Sequence, residues 1–121
     1  AYAESIGAKH VVIGNHAEDA KGFPDCRPEA MEAMQKVVEV ASEKGKAPTL
    51  WSPWLRSSKA EIIRKGLELG VPYEHTYSCY VDGIACGVCE ACEYRYNAFI
   101  EAGTVDPIFY AVTPRVVKRN E

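Results

Sequence analysis

The sequence predicts an α/β fold: a parallel sheet with crossover helices, followed by a small helical appendage. Three observations carry this. Short apolar runs alternate with longer stretches of helical periodicity, and parallel strands need such crossovers. The runs are nearly continuous instead of alternating, as in strands covered on both faces. Beyond the last strand signal, four of the five cysteines crowd between Cys79 and Cys92, which sets that region apart. A length of 121 residues is one domain at most, and 47% hydrophobic residues suffice for a packed core.

The elements follow in order. AYAESIGA reads as the last turns of a helix closed by Gly7. A start inside a helix, without Met, predicts the C-terminal part of something longer. KHVVIG (9–14) fits a buried strand, and NHAEDAKGFPDCR follows as a polar loop. Pro28 suits the first position of a helix. Ala30, Met31, Met34, Val37, Val38 and Ala41 then recur at helical spacing, with Gly45 as the expected C-cap. APTLWSPW (47–54) reads as a second strand, stopped by Pro53. Ser58 and Glu61 form a capping-box pattern that opens a helix carrying Ile62, Ile63 and Leu67, closed by Gly70 and Pro72. A last helix is expected from Cys89 to Ala102, burying Tyr96, Phe99 and Ile100 and stopping at Gly103. TPRVVKRN reads as a solvated basic tail.

Composition excludes several functions. A net charge of −3 argues against a broad phosphate-binding surface, so no direct nucleic-acid contact is expected. No apolar run approaches the roughly 20 residues of a membrane helix. The first residues lack the charged-then-apolar pattern of a signal peptide, so a cytoplasmic location with reduced thiols is expected.

Reduced, clustered cysteines point to a metal. Cys79 and Cys86 are followed by two C-x2-C steps to Cys89 and Cys92. Zinc takes four ligands in a tetrahedron, and four thiolates close a structural site. Gly87 frees the backbone to turn, while Cys89 and Cys92 share a face at the positive start of the last helix. An iron–sulfur cluster, disulfides and inert buried thiols are the other readings. The C-x2-C-x2-C-x3-C-P run of bacterial ferredoxins does not fit the fourth position. A closed site leaves no coordination position for substrate, so zinc is expected to staple the fold.

Chemistry is therefore sought in the polar loop after the first strand, where ligands of open α/β sheets sit. Asp19 and Asp25 offer acceptors, and an Asp carboxylate can take both N1–H and the exocyclic amine of a guanine-like edge. Arg27 can grip a carboxylate or phosphate bidentately. The plainer reading makes Asp25 an N-cap and puts Arg27 in a surface pair. Lys59 stands at a helix start, where a lysine can hold phosphate oxygens or simply face water. His16 reads as a loop histidine and Cys26 as a packed thiol.

Three stretches together carry a resemblance: D-x-x-G-F-P-D-C-R-P at Asp19–Pro28, S-K-A-E-I at Ser58–Ile62, and T-Y-S-C-Y…C-G-V-C-E-A-C-E-Y-R at Thr76–Arg95, continued by AFIEAGTVDP at 98–107. They resemble the 7-cyano-7-deazaguanine synthase family of the PP-loop ATPase superfamily. The resemblance implies a Rossmann-like adenine nucleotide alpha hydrolase sheet, with residues 1–75 ending the nucleotide-binding domain and 76–121 forming the zinc segment. It implies Cys79, Cys86, Cys89 and Cys92 as Zn2+ ligands, and Asp19, Asp25, Arg27 and Arg95 as substrate contacts. Lys59 and Arg27 become the catalytic candidates. The implied substrates are 7-carboxy-7-deazaguanine, ammonia and ATP with Mg2+, the implied reaction is nitrile formation through an amide, and a homodimer is the candidate assembly.

The sequence departs from the family pattern in places. The SGGxDS phosphate loop is not among these 121 residues, and without it ATP is expected to bind poorly. His16, Ala20 and Ala91 stand where Asn, an aromatic residue and Ser are usual. Competing readings are another PP-loop ATPase, either an amidating ligase on a different carboxylate or a tRNA-modifying thiolase, and a zinc-stapled binding module without catalysis.

Overall fold

The structure is a computed structural model and describes residues 1–117. Lys118, Arg119 and Asn120 of the expected basic tail lie outside the described residues. The chain packs as two compact units, Ala1–Ser58 and the part from Lys59 onward.

The first unit runs α1 (Tyr2–Ser5), β1 (His10–Val12), α2 (Asp19–Gly22), a 3-10 turn (Pro24–Cys26), α3 (Pro28–Ala41) and β2 (Thr49–Trp51). β1 and β2 pair in parallel, with His10 opposite Thr49 and Val12 opposite Trp51. This is the expected α/β arrangement, with strands shorter than the apolar runs suggested. Prolines bound the ladder. Thr49 N–H reaches the Lys9 carbonyl at 2.9 Å just after Pro48, and Ile13 N–H reaches Trp51 O at 2.9 Å just before Pro53. On the other side of β2, Gln35 of α3 accepts the Leu50 N–H at 2.7 Å and so occupies an edge donor.

Arg27 is extended ahead of Pro28, as a proline-led helix start requires. α3 stops at Ala41, earlier than Gly45, because the Glu43 N–H is taken by the Glu4 carboxylate at 2.7 Å. Of the expected apolar stripe, Met31 and Val38 are half-buried, whereas Met34 and Val37 are exposed.

The second unit contains α4 (Lys59–Glu68), a 3-10 turn (Tyr73–His75), the cysteine loop and α5 (Glu90–Glu101). α4 starts directly after Ser58. Both helices end as their glycines suggested: left-handed Gly70 and Gly103 let Val71 N–H reach Gly66 O at 2.9 Å and Thr104 N–H reach Phe99 O at 3.1 Å. The core is Ala60, Ile63, Ala98 and Phe99, with Tyr73 and Ala102 packed on it. Tyr73 meets Phe99 edge-on at 5.1 Å and donates to the Ile62 and Ile63 carbonyls. On α5 the buried positions are Cys92, Arg95, Ala98 and Phe99. Ile100 is exposed and Tyr96 only half-buried, contrary to expectation, because a charged residue, Arg95, takes the buried face.

Phe99 is 1% exposed and is the largest fully buried side chain among the described residues. Phe99→Ala should cost the second unit about 3 kcal/mol, read as a lower denaturant midpoint for the tyrosine near-UV signal.

Candidate functional site

The cysteine loop brings its four sulfurs within 4.8 Å of one another, with Cys86 and Cys92 Sγ 4.0 Å apart. All five cysteines are free thiols. Sulfurs about 2.3 Å from a central ion form a tetrahedron with edges of about 3.8 Å, so the cluster needs to contract by only about 1 Å. The donor set therefore fits a tetrahedral thiophilic ion and is compatible with zinc.

Backbone geometry prepares the sulfurs. The N–H groups of Cys86 and Val81 each donate to Cys79 Sγ at 3.4 Å. These bonds, Cys86 first, pull the Cys79 thiol down to about 6. Burial pushes the Cys92 thiol up, and a bound cation would have to offset that. Cys89 is the N-cap of α5 and Cys92 lies three residues on, so both sulfurs meet the helix start. Gly87 adopts φ +79, and a Cβ there would stand 1.6 Å from the Val112 carbonyl oxygen.

Behind the sulfurs lies Arg95, which sequence reasoning offered as a substrate contact. Its guanidinium is spent within the unit. Nε donates to Asp106 Oδ2 at 2.7 Å, and Nη2 donates to Asp106 Oδ1 at 2.8 Å and Tyr73 O at 3.1 Å. Nη1 donates to Thr76 Oγ1 at 2.7 Å and Thr76 O at 3.2 Å. With five N–H groups and five acceptors, none remains for a substrate. Asp106 is equally committed, taking the Tyr110 hydroxyl as well. Tyr110 lies outside every stretch that carried the resemblance, and Asp106 stands at the end of AFIEAGTVDP with no role assigned to it.

The polar loop belongs to the first unit. Asp19 accepts the His16 backbone N–H at 2.9 Å and lies 3.4 Å from its Nε2, which makes it a loop-holding residue. His16 is buried, and its Nδ1 lies 3.1 Å from Glu18 Oε2 but off the line of a hydrogen bond. Asp25 sits exposed in the 3-10 turn, and the N-cap of α3 is Arg27. Arg27 is exposed and donates through Nε to Ala20 O at 3.2 Å, leaving its terminal nitrogens toward solvent. The Cys26 thiol is pushed up by burial and by the carboxylates of Asp25 and Asp19, which suits a packed thiol and disfavours a nucleophile. Lys59 opens α4 in the second unit.

Sequence reasoning missed Asn15. It is 7% exposed, and its Nδ2 donates to the Cys26 carbonyl at 3.3 Å. That carbonyl can only accept, so the amide orientation is fixed and Oδ1 is the atom left buried without a partner. Ser52 Oγ is in the same condition. Both residues follow the C-terminal ends of β1 and β2, and that position is the signal that could have found them.

Gly87→Ala combines left-handed strain of about 1–2 kcal/mol with a clash against Val112. It should weaken metal binding roughly ten- to a hundredfold, measured by chelator competition and by loss of the cobalt–thiolate absorption bands.

Comparison with known proteins agrees with this arrangement. Residues 1–103 match the family described as Queuosine biosynthesis protein QueC. A 7-cyano-7-deazaguanine synthase of Nostoc punctiforme is 47% identical over 114 residues, covering 91% of this chain and 51% of the relative. Those of Methanoculleus marisnigri and Thermoplasma acidophilum are 50% and 48% identical, covering 89% and 98% of this chain and 49% and 51% of the relatives. The chain thus spans about half the length of the curated relatives it matches. It belongs to the QueC family.

Proposed function

We propose that this chain contributes the substrate loop and the zinc segment of an ATP-dependent carbon–nitrogen ligase. The enzyme converts 7-carboxy-7-deazaguanine and ammonia to 7-cyano-7-deazaguanine. The observation that carries this reading is the state of the polar groups beyond β1 and β2. Asn15 Oδ1 and Ser52 Oγ are buried without partners, while Asp25 and the terminal nitrogens of Arg27 stand exposed in the adjoining loop. Buried polar atoms without partners are uncommon unless something binds them. The similarity to 7-cyano-7-deazaguanine synthases supports the choice of product.

The chemistry follows from the substrate. A carboxylate oxygen leaves poorly until ATP converts it to a phosphoryl or adenylyl ester. Ammonia then attacks the carbonyl carbon and the activated oxygen departs, giving an amide. A second ATP activates the amide oxygen, and loss of that oxygen with both nitrogen protons leaves the nitrile. In this reading the Asp25 carboxylate accepts the N1–H and amine of the deazaguanine edge. Arg27 orients the carboxylate that is to be activated, and Lys59 meets phosphate oxygens. Asp19 and His16 hold the loop that presents these groups, and Arg95 contributes by position. Magnesium accompanies ATP and screens its charge.

Zinc on Cys79, Cys86, Cys89 and Cys92 supplies a structural cross-link, because four thiolates close its coordination. Residues 1–75 close the nucleotide-binding domain and 76–121 form the zinc segment. The family's SGGxDS loop, absent from these 121 residues, would cradle the nucleotide phosphates in the whole protein. No helix among the described residues is long and apolar enough to cross a membrane. The proposal further takes the enzyme as cytoplasmic, acting on small molecules without nucleic-acid contact, and assembling at most with a second copy of itself.

Arg27→Ala in the whole protein should lower nitrile formation about a hundredfold or more while zinc content stays at the wild-type level. Product is followed by mass spectrometry and metal by elemental analysis; turnover at the wild-type rate rejects this assignment.

A further inference from the structure

The four sulfurs sit on three chain segments, and a single buried ion pair grips all three. The first segment leads to Cys79. Arg95 holds it through the Tyr73 carbonyl and through both oxygens of Thr76, three residues ahead of the cysteine. The second carries Cys86. Asp106 accepts the Tyr110 hydroxyl and the Ile108 N–H, which sets residues 108–112 alongside the loop. Tyr110 then bridges to Ala85, Ala111 N–H donates to Ala85 O at 2.8 Å, and the Val112 carbonyl abuts Gly87. The third is α5 itself, with Cys89 as its N-cap, Cys92 in its first turn and Arg95 one turn further on.

The loop has little else to hold it. Tyr80, Val81, Ile84 and Val88 are 91%, 55%, 63% and 66% exposed, and of residues 79–92 only the small Ala85, Gly87 and Cys92 are buried. In small zinc domains of this kind the metal usually supplies the folding energy, and the apo chain is unfolded. Here the ion pair is anchored instead to a core without a metal: Arg95 lies over the Phe99 ring at 5.2 Å, and Phe99 packs with Ile63, Ala60 and Ala98.

We infer that the Arg95–Asp106 pair is a metal-independent template for the four-cysteine site, holding its ligand segments in register before a thiophilic divalent ion enters. The inference rests on the zinc part of the proposed function. It makes Arg95 and Asp106 positioning residues for the metal, and it makes the site able to load and release an ion without unfolding the unit. Substituting groups that orient metal ligands typically lowers metal affinity ten- to a hundredfold, and the same range is expected here.

The test uses the whole chain, stripped of metal with a chelator under reducing conditions. Near-UV circular dichroism and amide exchange should show α5 and the Tyr110 environment retained, and added zinc should bind stoichiometrically. Arg95→Lys, Asp106→Asn and the milder Tyr110→Phe are compared with Ile63→Ala, a core change on α4, at a temperature where each is folded. The three pair variants should bind zinc ten- to a hundredfold more weakly in chelator competition and show altered cobalt–thiolate bands. Ile63→Ala should melt earlier yet keep wild-type affinity and bands. If Arg95→Lys and Asp106→Asn do not fold, Tyr110→Phe alone decides. Folded pair variants with wild-type affinity and spectrum overturn the inference, as does a stripped wild-type chain that is unfolded. A folded wild-type chain that takes up no zinc rejects the zinc assignment itself, and the inference with it.

Discussion

A guanidinium buried against a carboxylate is an expensive arrangement, and the second unit is organised around making it tolerable. The side chains of Arg95 and Asp106 are 5% and 0% exposed. Dehydrating each ion costs several kcal/mol, so a buried pair gives little net stability, yet leaving one partner alone costs about 3–5 kcal/mol. That asymmetry explains why each guanidinium N–H has an acceptor and why Tyr110 and Ile108 close on Asp106. The pair earns its place by geometry: acceptors from the Tyr73–Thr76 turn and from Asp106 meet the Arg95 donors of α5 at one point only if those segments sit in one arrangement.

The parts of the fold legible in the sequence were those set by nearby residues. Gly7, Gly70 and Gly103 mark helix ends because a left-handed residue closes the last turn whatever the helix packs against. Pro28 marks the start of α3 for the same local reason. Strand lengths were overread, since an apolar run does not reveal where a partner ladder stops; Pro48 and Pro53 decided that in β2. The end of α3 was misplaced by Glu4, 39 residues away from the amide it binds. The buried face of α5 was misjudged because apolar periodicity cannot anticipate a buried arginine whose carboxylate lies 11 residues further on.

The same division holds for the candidate sites. Four cysteines within fourteen positions announce a cluster, and a C-x2-C step across a helix start nearly builds it. Tyr110 and Asn15 announce nothing, and Asp106 at the end of AFIEAGTVDP announces no role, because their meaning comes from partners such as Cys26 O and Arg95 that only folding supplies. Arg95 was noticed within a family motif but given a task its hydrogen bonds leave no room for. Motif membership shows that a position matters, while the count of occupied donors shows how it acts.

That count separates the two units in kind. In the second, the Arg95–Asp106 network spends its donors and acceptors internally, which suits a framework that must hold one shape. In the first, Asn15 Oδ1 and Ser52 Oγ remain buried without partners beyond the strand ends, and Arg27 keeps its outer nitrogens toward solvent. An unmade buried hydrogen bond costs about 1–3 kcal/mol, a cost a scaffold avoids and a binding site recovers when its ligand arrives. Capture of a polar ligand therefore fits the first unit, and rigid support of a metal fits the second.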